Sequence, residues 1–597
     1  MEHIKTPFYD QVDRDCPLNE YPRPQFERDN WINLNGRWGF CVTGLHADPP
    51  EETAYDREIL VPFAPECALS GIAEHFDDNH LLWYSRKFTL PTLKKGERVL
   101  LHFGAVDWDC RVYVNADQIG SHLGGYNRFS FDVTSHISAG ENELTVRVFD
   151  PTDKGWQQRG KQATVSHGFW YTATSGIWQT VWLEIVPENR IDSLRLTPDI
   201  DLGVIRVEAT VVGKGKLTAK VFDDGCEIAQ SVIEDGKAEI PVPDFKCWSP
   251  EDPKLYDLEL TLTSGRRKLD HVKSYFGMRK FSLERAKDGF MRLFLNNEPY
   301  FQTGLLDQGY WPDGGMTAPT DEAMIYDIQT MRELGFNMLR KHIKTEPDRW
   351  YYHCDRLGML VWQDMISGGK ALNPVHAGVI PNIQGVFIPV KAFSLKDDKY
   401  KTFNRDEAIW RDIFRKELDE MIDQLYNFVS ICCWVPFNEG WGQFDALQIG
   451  RHVKQKDPTR FVDHASGWYD QGGGDFRSIH RYIMPVQVPK KELDRAFVLS
   501  EFGGYSRIVE GHVWNKTRSF GYMMFRTREK LTSAYRRLFE KQIIPNVSKG
   551  LAATVYTQVS DVEFEVNGIL TYDRTQIKLD ADTVKTLNRR LRESSTD

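Results

Sequence analysis

No run of about 18 apolar residues occurs in the chain, which excludes a transmembrane helix of ordinary length. The opening MEHIKTPFYDQVDRDCPLNE lacks both an apolar core segment and a small-residue cleavage site, so a cytoplasmic location is expected. Basic charge is in short supply: 75 Lys and Arg face 85 Asp and Glu, a formal net charge of -10. Nucleic acid is held by clustered cations that displace counterions, so no nucleic-acid partner is expected and no membrane partner either. Cysteine is sparse. The nine present are an odd number and include the adjacent pair Cys432 and Cys433, which reads as free buried thiols in a reducing compartment rather than a disulfide framework. None has metal-ligand spacing, so neither a structural zinc nor any cofactor is assigned.

What is present is length and aromatic side chains. A chain of 597 residues exceeds what one core supports, so two to four domains are expected. Aromatics make up 12% of it, a composition that suits β-rich cores and also platforms for stacking on sugar rings. Residues 1–187 are strand-like. In RVYVN, Val112 and Val114 alternate with Arg111, Tyr113 and Asn115, the pattern of a strand with one buried face, and the region reads as a β-sandwich. Over 188–282 the pattern resets to short strands separated by Gly and Asp turns, enough for one immunoglobulin-sized sandwich. From 283 to 597 short apolar runs alternate with helical stretches such as DEAMIYDIQTMRELG and AIWRDIFRKELDEMIDQLYN. Eight candidate strands, at YFQTGLL, NMLRKHI, MLVWQDM, SICCWVPFN, FVDHASG, SIHRY, AFVLSEF and LAATVYTQ, predict a (β/α)8 barrel with its site at the C-terminal strand ends. The long segment 367–403 after the third strand reads as a rim loop that closes a pocket.

Two of these strands end in a carboxylate. The fourth ends in Asn438 and Glu439, the seventh in Glu501, and strands four and seven face each other across a barrel mouth. Hydrolysis of a glycosidic bond needs such a pair, one carboxyl to protonate the departing oxygen and the other to attack the anomeric carbon. A single strand-end Glu is as well explained by a helix cap or an ion pair; two at matching positions shift the balance towards chemistry.

SICCWVPFNEG and LSEFGG resemble the acid/base and nucleophile strands of family 2 glycoside hydrolases. The likeness extends over essentially the whole chain: FGAVDWDCRVYVN and SGIWQTVWLE resemble the family's amino-terminal jelly roll, WSPEDPKLYDLELTL with YFGMRKF its immunoglobulin-like segment, and DRLGMLVWQDM its third barrel strand. The resemblance implies a jelly-roll β-sandwich, an immunoglobulin-like sandwich and a C-terminal barrel, with a retaining, exo-acting mechanism. It assigns Glu439 as acid/base, Glu501 as nucleophile and Asn438 as the partner of the sugar 2-hydroxyl. It further matches Tyr482 to a residue that orients the nucleophile, Arg340 to a cation beside it, and Asp364 to an acidic strand-three end, with an Asp capping the next turn as the equal alternative for the last.

Departures from the family pattern bear on the sugar. Where galactosidases and glucuronidases have Arg-x-Ser-His-Tyr-Pro, this chain places His342 and Ile343 after Arg340, and alternation puts His342 on the face of Arg340, as a sugar ligand or a satisfied barrel histidine. GLLDQGYWPDG lacks the relatives' Asn-Arg-His, so Asp307, Tyr310 and Trp311 stand in for those contacts. EVNGILTYDR has no Lys where glucuronidases carry one for the substrate carboxylate, which argues against glucuronides. A β-galactoside-type activity is favoured, with a furanoside (arabinofuranoside or galactofuranoside) or a β-mannoside as alternatives. A non-catalytic carbohydrate-binding protein is the reading from another class, and a metal-dependent hydrolase using His342, His464 and His480 lacks the spacing that would support it. Catalysis at neutral pH requires the pKa of Glu439 to be raised by burial and by the charge of Glu501. A homo-oligomer fits the family, though no feature specifies an interface.

Overall fold

The computed structural model describes residues 4–47, 49–51, 54–370, 395–488 and 494–594. The first β-sandwich packs a six-stranded antiparallel sheet, in the order Arg57–Val61, Gly36–Gly44, His80–Leu90, Gly140–Phe149, Asp109–Val114, Asp117–Leu123, on a four-stranded one. Its core follows the period of two. Cys110, Val112 and Val114 point inward with Leu144, Val146 and Val148, while the residues between them face out, as RVYVN predicts. The second sandwich pairs three strands (Arg190–Asp199, Val204–Val212, Lys237–Pro241) with four (Cys226–Ile233, Lys216–Asp223, Tyr256–Ser264, Arg267–Phe276) around Val207, Ala219, Leu260 and Val272. The strand Phe281–Arg285 pairs with Met291–Leu295, not with that sandwich, so the expected border at 282 falls inside a strand. Phe281, Leu293 and Leu295 pack into the barrel's interior cluster and form its floor.

Eight parallel strands make the barrel: β1 (Gln302–Asp307), β2 (Met338–Lys341), β3 (Leu360–Asp364), β4 (Ile431–Val435), β5 (Phe461–Val462), β6 (Phe476–Arg481), β7 (Ala496–Gly503) and β8 (Leu551–Thr557). They run in the order β5-β4-β3-β2-β1-β8-β7-β6. All eight expected strands are there. The seam between β5 and β6 carries no strand ladder; instead the Asp475 N–H donates to the Val462 carbonyl at 2.8 Å and the Val462 N–H donates to the Asp475 carboxylate at 2.8 Å.

Alternation decides which strand residues reach the site. Leu306, Met338, Leu360, Trp362, Cys433, Val435 and Val498 fill the barrel, whereas their neighbours Leu305, Leu339, Val361, Trp434 and Leu499 pack outward under the helices. Arg340, His342 and Asp364 share the inward parity, and Asp307 and Lys341 the outward one.

Candidate active site

Arg340 is fully buried at the centre of the mouth. Its Nε and Nη2 donate to the two oxygens of Asp364 at 2.9 and 3.0 Å, Nη2 also to Asn438 Oδ1 at 2.7 Å, and Nη1 to Glu501 Oε1 at 3.1 Å. Burial works against the guanidinium charge, but Asp364 and Glu501 outweigh it and hold the pKa above the ordinary value. One cation thus fixes side chains from β3, β4 and β7.

Glu501 owes its inward aim to a bulge. Leu499 is opposite Thr554 of β8 and Phe502 opposite Tyr556, so three steps on β7 match two on its neighbour; towards β6, Ile479 lies opposite Leu499 and His480 opposite Glu501. The extra residue reverses the alternation, and Glu501 turns in towards Arg340. Its second oxygen accepts the Tyr482 hydroxyl, which also lies 3.1 Å from Thr557 Oγ1. Glu439 follows the end of β4 with φ of 52°, its N–H donating to the Ser466 carbonyl at 3.0 Å. That left-handed turn aims its side chain back over the mouth, and 24% of the side chain stays exposed against 5% for Glu501.

His480 sits between the carboxylates. Nδ1 is 2.7 Å from Glu439 Oε1 and 3.5 Å from Glu501 Oε2. Burial, with a smaller push from Arg340, lowers its pKa to about 4, so the ring is neutral at physiological pH. Nε2 lies 3.2 Å from the Ser466 hydroxyl, which can donate to it, and 3.5 Å from Arg340 Nη1, which only donates, so the ring proton belongs on Nδ1 and points at Glu439. With Oε1 occupied in this way, the other oxygen of Glu439 is free to hold a proton. Burial raises the pKa of Glu439 to about 7. Lys161 and Arg340 work against that rise.

The donor atoms of Glu439, His480 and Glu501 lie within 4.8 Å of one another, a spacing that could take a divalent ion. The three histidines of the metal reading do not gather: His342 Nδ1 is 2.7 Å from Asp364, and His464 faces Asp470 at 3.4 Å.

Asn438, Arg340, His342, Asp364 and Tyr482 therefore surround the two carboxylates. Asp364 accepts from Arg340 and faces His342, so it is held by side chains of β2 and does not act as a turn cap. Asp307 and Trp311 lie elsewhere, a correction to the strand-one reading. Asp307 has outward parity and accepts from Lys341 at 2.7 Å in a buried cluster with Glu346, and Trp311 is 4% exposed with the Arg574 guanidinium 4.2 Å over its ring. Of the rim segment 367–403 expected to close the pocket, residues 371–394 lie outside the described residues. Two residues were missed. His480 appeared only as a metal candidate, although alternation from Phe476 places it inward. Lys161 had no signal in its local sequence; it comes from the first sandwich and reaches the barrel mouth.

Three family descriptions match the chain in succession: "Glycosyl hydrolases family 2, sugar binding domain" over residues 53–187, "Glycosyl hydrolases family 2" over 189–279, and "Glycosyl hydrolases family 2, TIM barrel domain" over 291–591. The chain belongs to glycosyl hydrolase family 2. Relatives include a beta-galactosidase of Thermoanaerobacter pseudethanolicus, 28% identical over 64% of this chain and 48% of the relative. A putative beta-glucuronidase of Formosa agariphila is 25% identical over 71% of this chain and 51% of the relative. The chain thus spans about half the length of these curated relatives. Among solved structures, a beta-D-glucuronidase of Dictyoglomus thermophilum (TM-score 0.72, 16% identity, 96% of this chain and 98% of that one) and a beta-galacturonidase of Eisenbergiella tayi (0.69, 19%, 95% and 99%) share the family 2 fold.

Proposed function

We infer that this chain is a retaining, exo-acting β-glycoside hydrolase in which Glu439 is the acid/base and Glu501 the nucleophile. The observation that carries the reading is spacing: carboxyl oxygens within 4.8 Å leave no room for the water that an inverting enzyme holds between its two carboxyls, which stand about 6.5–9.5 Å apart. Glu501, tethered by Arg340 and Tyr482, attacks the anomeric carbon while Glu439 gives its proton to the leaving oxygen. Glu439 then takes a proton from the water that hydrolyses the glycosyl-enzyme. Asn438, fixed by Arg340, is offered to the sugar 2-hydroxyl. An exo mode is supported by the first sandwich, whose residues 158–160 pack against Ser367 and Gly368 at the rim and wall one side of the mouth. The relatives' names supply the sugar classes to test, galactosides and glucuronides.

The test is a panel of aryl β-galactopyranoside, β-glucuronide, β-mannopyranoside, β-galactofuranoside and α-L-arabinofuranoside, run on wild type, Glu439→Gln and Glu501→Gln. The 2-fluoro analogue of whichever sugar is cleaved is then used to trap an adduct for mass spectrometry. Turnover by wild type, a loss of roughly 10³-fold or more in both variants, and an adduct on Glu501 are expected. Activity that survives Glu501→Gln sinks the nucleophile assignment.

A further inference from the structure

Lys161 stands in the loop between strands Gly140–Phe149 and Val181–Pro187 of the first sandwich, yet it belongs spatially to the barrel. The preceding residue, Gly160, lies so close to the end of β2 that a Cβ there would sit 2.9 Å from the Ile343 carbonyl, one residue past His342. The Lys161 carbonyl accepts the Tyr171 N–H at 2.9 Å, and the Tyr171 hydroxyl donates to Glu565, beyond β8, at 2.5 Å. The backbone of Lys161 is therefore pinned on both sides of the mouth.

Its side chain is placed but not paired. The Nζ lies 4.9 Å from the ring centre of Phe169 and 5.6 Å from that of Trp170. It makes no hydrogen bond or ion pair among the described residues. The rings continue around the opening: Phe169 meets Phe520 at 5.4 Å, Phe520 meets Tyr522 at 5.6 Å, and Tyr522 stacks on Tyr482 at 3.9 Å, which bonds Glu501. The positive charge of Lys161 is felt at Glu439 and His342, just past the ends of β4 and β2, at His480 on β6 and at Glu565 beyond β8. An ammonium beside two aromatic rings, facing a site in which Arg340 is saturated by Asp364, Asn438 and Glu501, has donors that no described residue engages.

We propose that Lys161, delivered by the amino-terminal sandwich, is the anion-recognising residue of the sugar pocket, and that the terminal sugar carries an anionic group, a carboxylate or a sulfate ester. This rests on the glycosidase reading of the mouth. It also supplies from another domain the cation whose absence from EVNGILTYDR argued against acidic sugars. A free ammonium beside a pocket floored by Arg340 and His342 contributes most when the ligand brings the missing negative charge.

The experiment compares kcat/KM for aryl β-galactopyranoside, β-galacturonide, β-glucuronide and 6-sulfo-β-galactopyranoside in wild type, Lys161→Met and Lys161→Arg. Wild type is expected to prefer an acidic glycoside to its neutral parent. Lys161→Met is expected to lower that preference by about 30-fold, chiefly through KM, and Lys161→Arg to restore part of it. Preference for the carboxylate or the sulfate identifies the source of the charge. An unchanged ratio in Lys161→Met, or wild-type preference for the neutral sugar, overturns the proposal while leaving the glycosidase reading intact. If wild type cleaves none of these, the glycosidase reading fails for these sugars and calorimetry with free galacturonate, glucuronate, galactose 6-sulfate and galactose decides separately. Binding of an acid alone that Lys161→Met abolishes supports the anion site; no discrimination between acid and galactose removes it.

Discussion

As the proposed acid, Glu439 can protonate a leaving group only while it holds its proton, and burial raises its pKa to about 7. The acid form is therefore complete well below pH 7 and is lost as pH rises through that value, so kcat/KM is expected to fall along an alkaline limb centred near pH 7. Lys161 lowers the pKa of Glu439, so Lys161→Met raises it further and moves the limb to higher pH. A pH profile of kcat/KM on any accepted aryl glycoside reads this shift. A limb that stays in place, or moves to lower pH, separates Lys161 from the acid. At this scale the two carboxylates were legible because a barrel strand that ends in an acid exposes it at the mouth. Arg340 and Asp364 came from the family resemblance, and His342 followed from Arg340 by parity. Applied to SIHRY, the same parity picks out His480; applied to GLLDQ it places Asp307 outside, against the reading from motif position.

Between β5 and β6 the Asp475 carboxylate stands where a ladder acceptor would, taking the Val462 N–H. Asp475→Ala removes the acceptor of the Val462 N–H and the partner of Lys454, which is 3.1 Å away, while its own N–H bond to Val462 survives. The buried donor left unsatisfied costs about 1–3 kcal/mol, so a lower thermal midpoint is expected for Asp475→Ala, with Asp475→Asn between it and wild type because the amide oxygen still accepts. An Asp475→Ala protein that melts with wild type shows that the seam is held elsewhere. The eight strands themselves were legible from apolar runs bounded by turns, because both faces of a barrel strand are buried and each run is continuous. The bulge in β7 was not legible. Nothing in the composition of AFVLSEFGG reveals that one residue has no counterpart on the neighbouring strands, yet that residue is what turns Glu501 inward.

The mouth is assembled by a loop at residues 158–161 and by barrel residues from 340 onward, which is why Lys161 was silent in the sequence: its meaning lies in which barrel surface its loop meets. Gln158 donates to Glu417 at 2.8 Å, the N–H groups of Arg159 and Gly160 donate to the Ser367 carbonyl at 3.1 and 3.0 Å, and the Tyr126 hydroxyl donates to the Arg159 carbonyl at 2.8 Å. Two glycines in this loop have similar left-handed backbones, Gly160 with φ of 62° and Gly168 with φ of 58°, but different surroundings. A Cβ on Gly160 meets the Tyr126 hydroxyl at 2.7 Å and the Ile343 carbonyl at 2.9 Å, whereas one on Gly168 meets nothing within 4 Å. Both alanine variants bear the left-handed strain of about 1 kcal/mol, so their difference isolates the docking of the loop on β2. Gly160→Ala must push the loop off the barrel and carry Lys161 with it, so kcat/KM for the best glycoside is expected to fall at least tenfold, with the far-ultraviolet circular dichroism of wild type retained. Gly168→Ala is expected to stay within about threefold, since strain alone without displacement leaves the mouth in place. Equal activities for the two variants mean that the sandwich loop rests on the barrel without shaping its site, and that catalysis is complete within the strands.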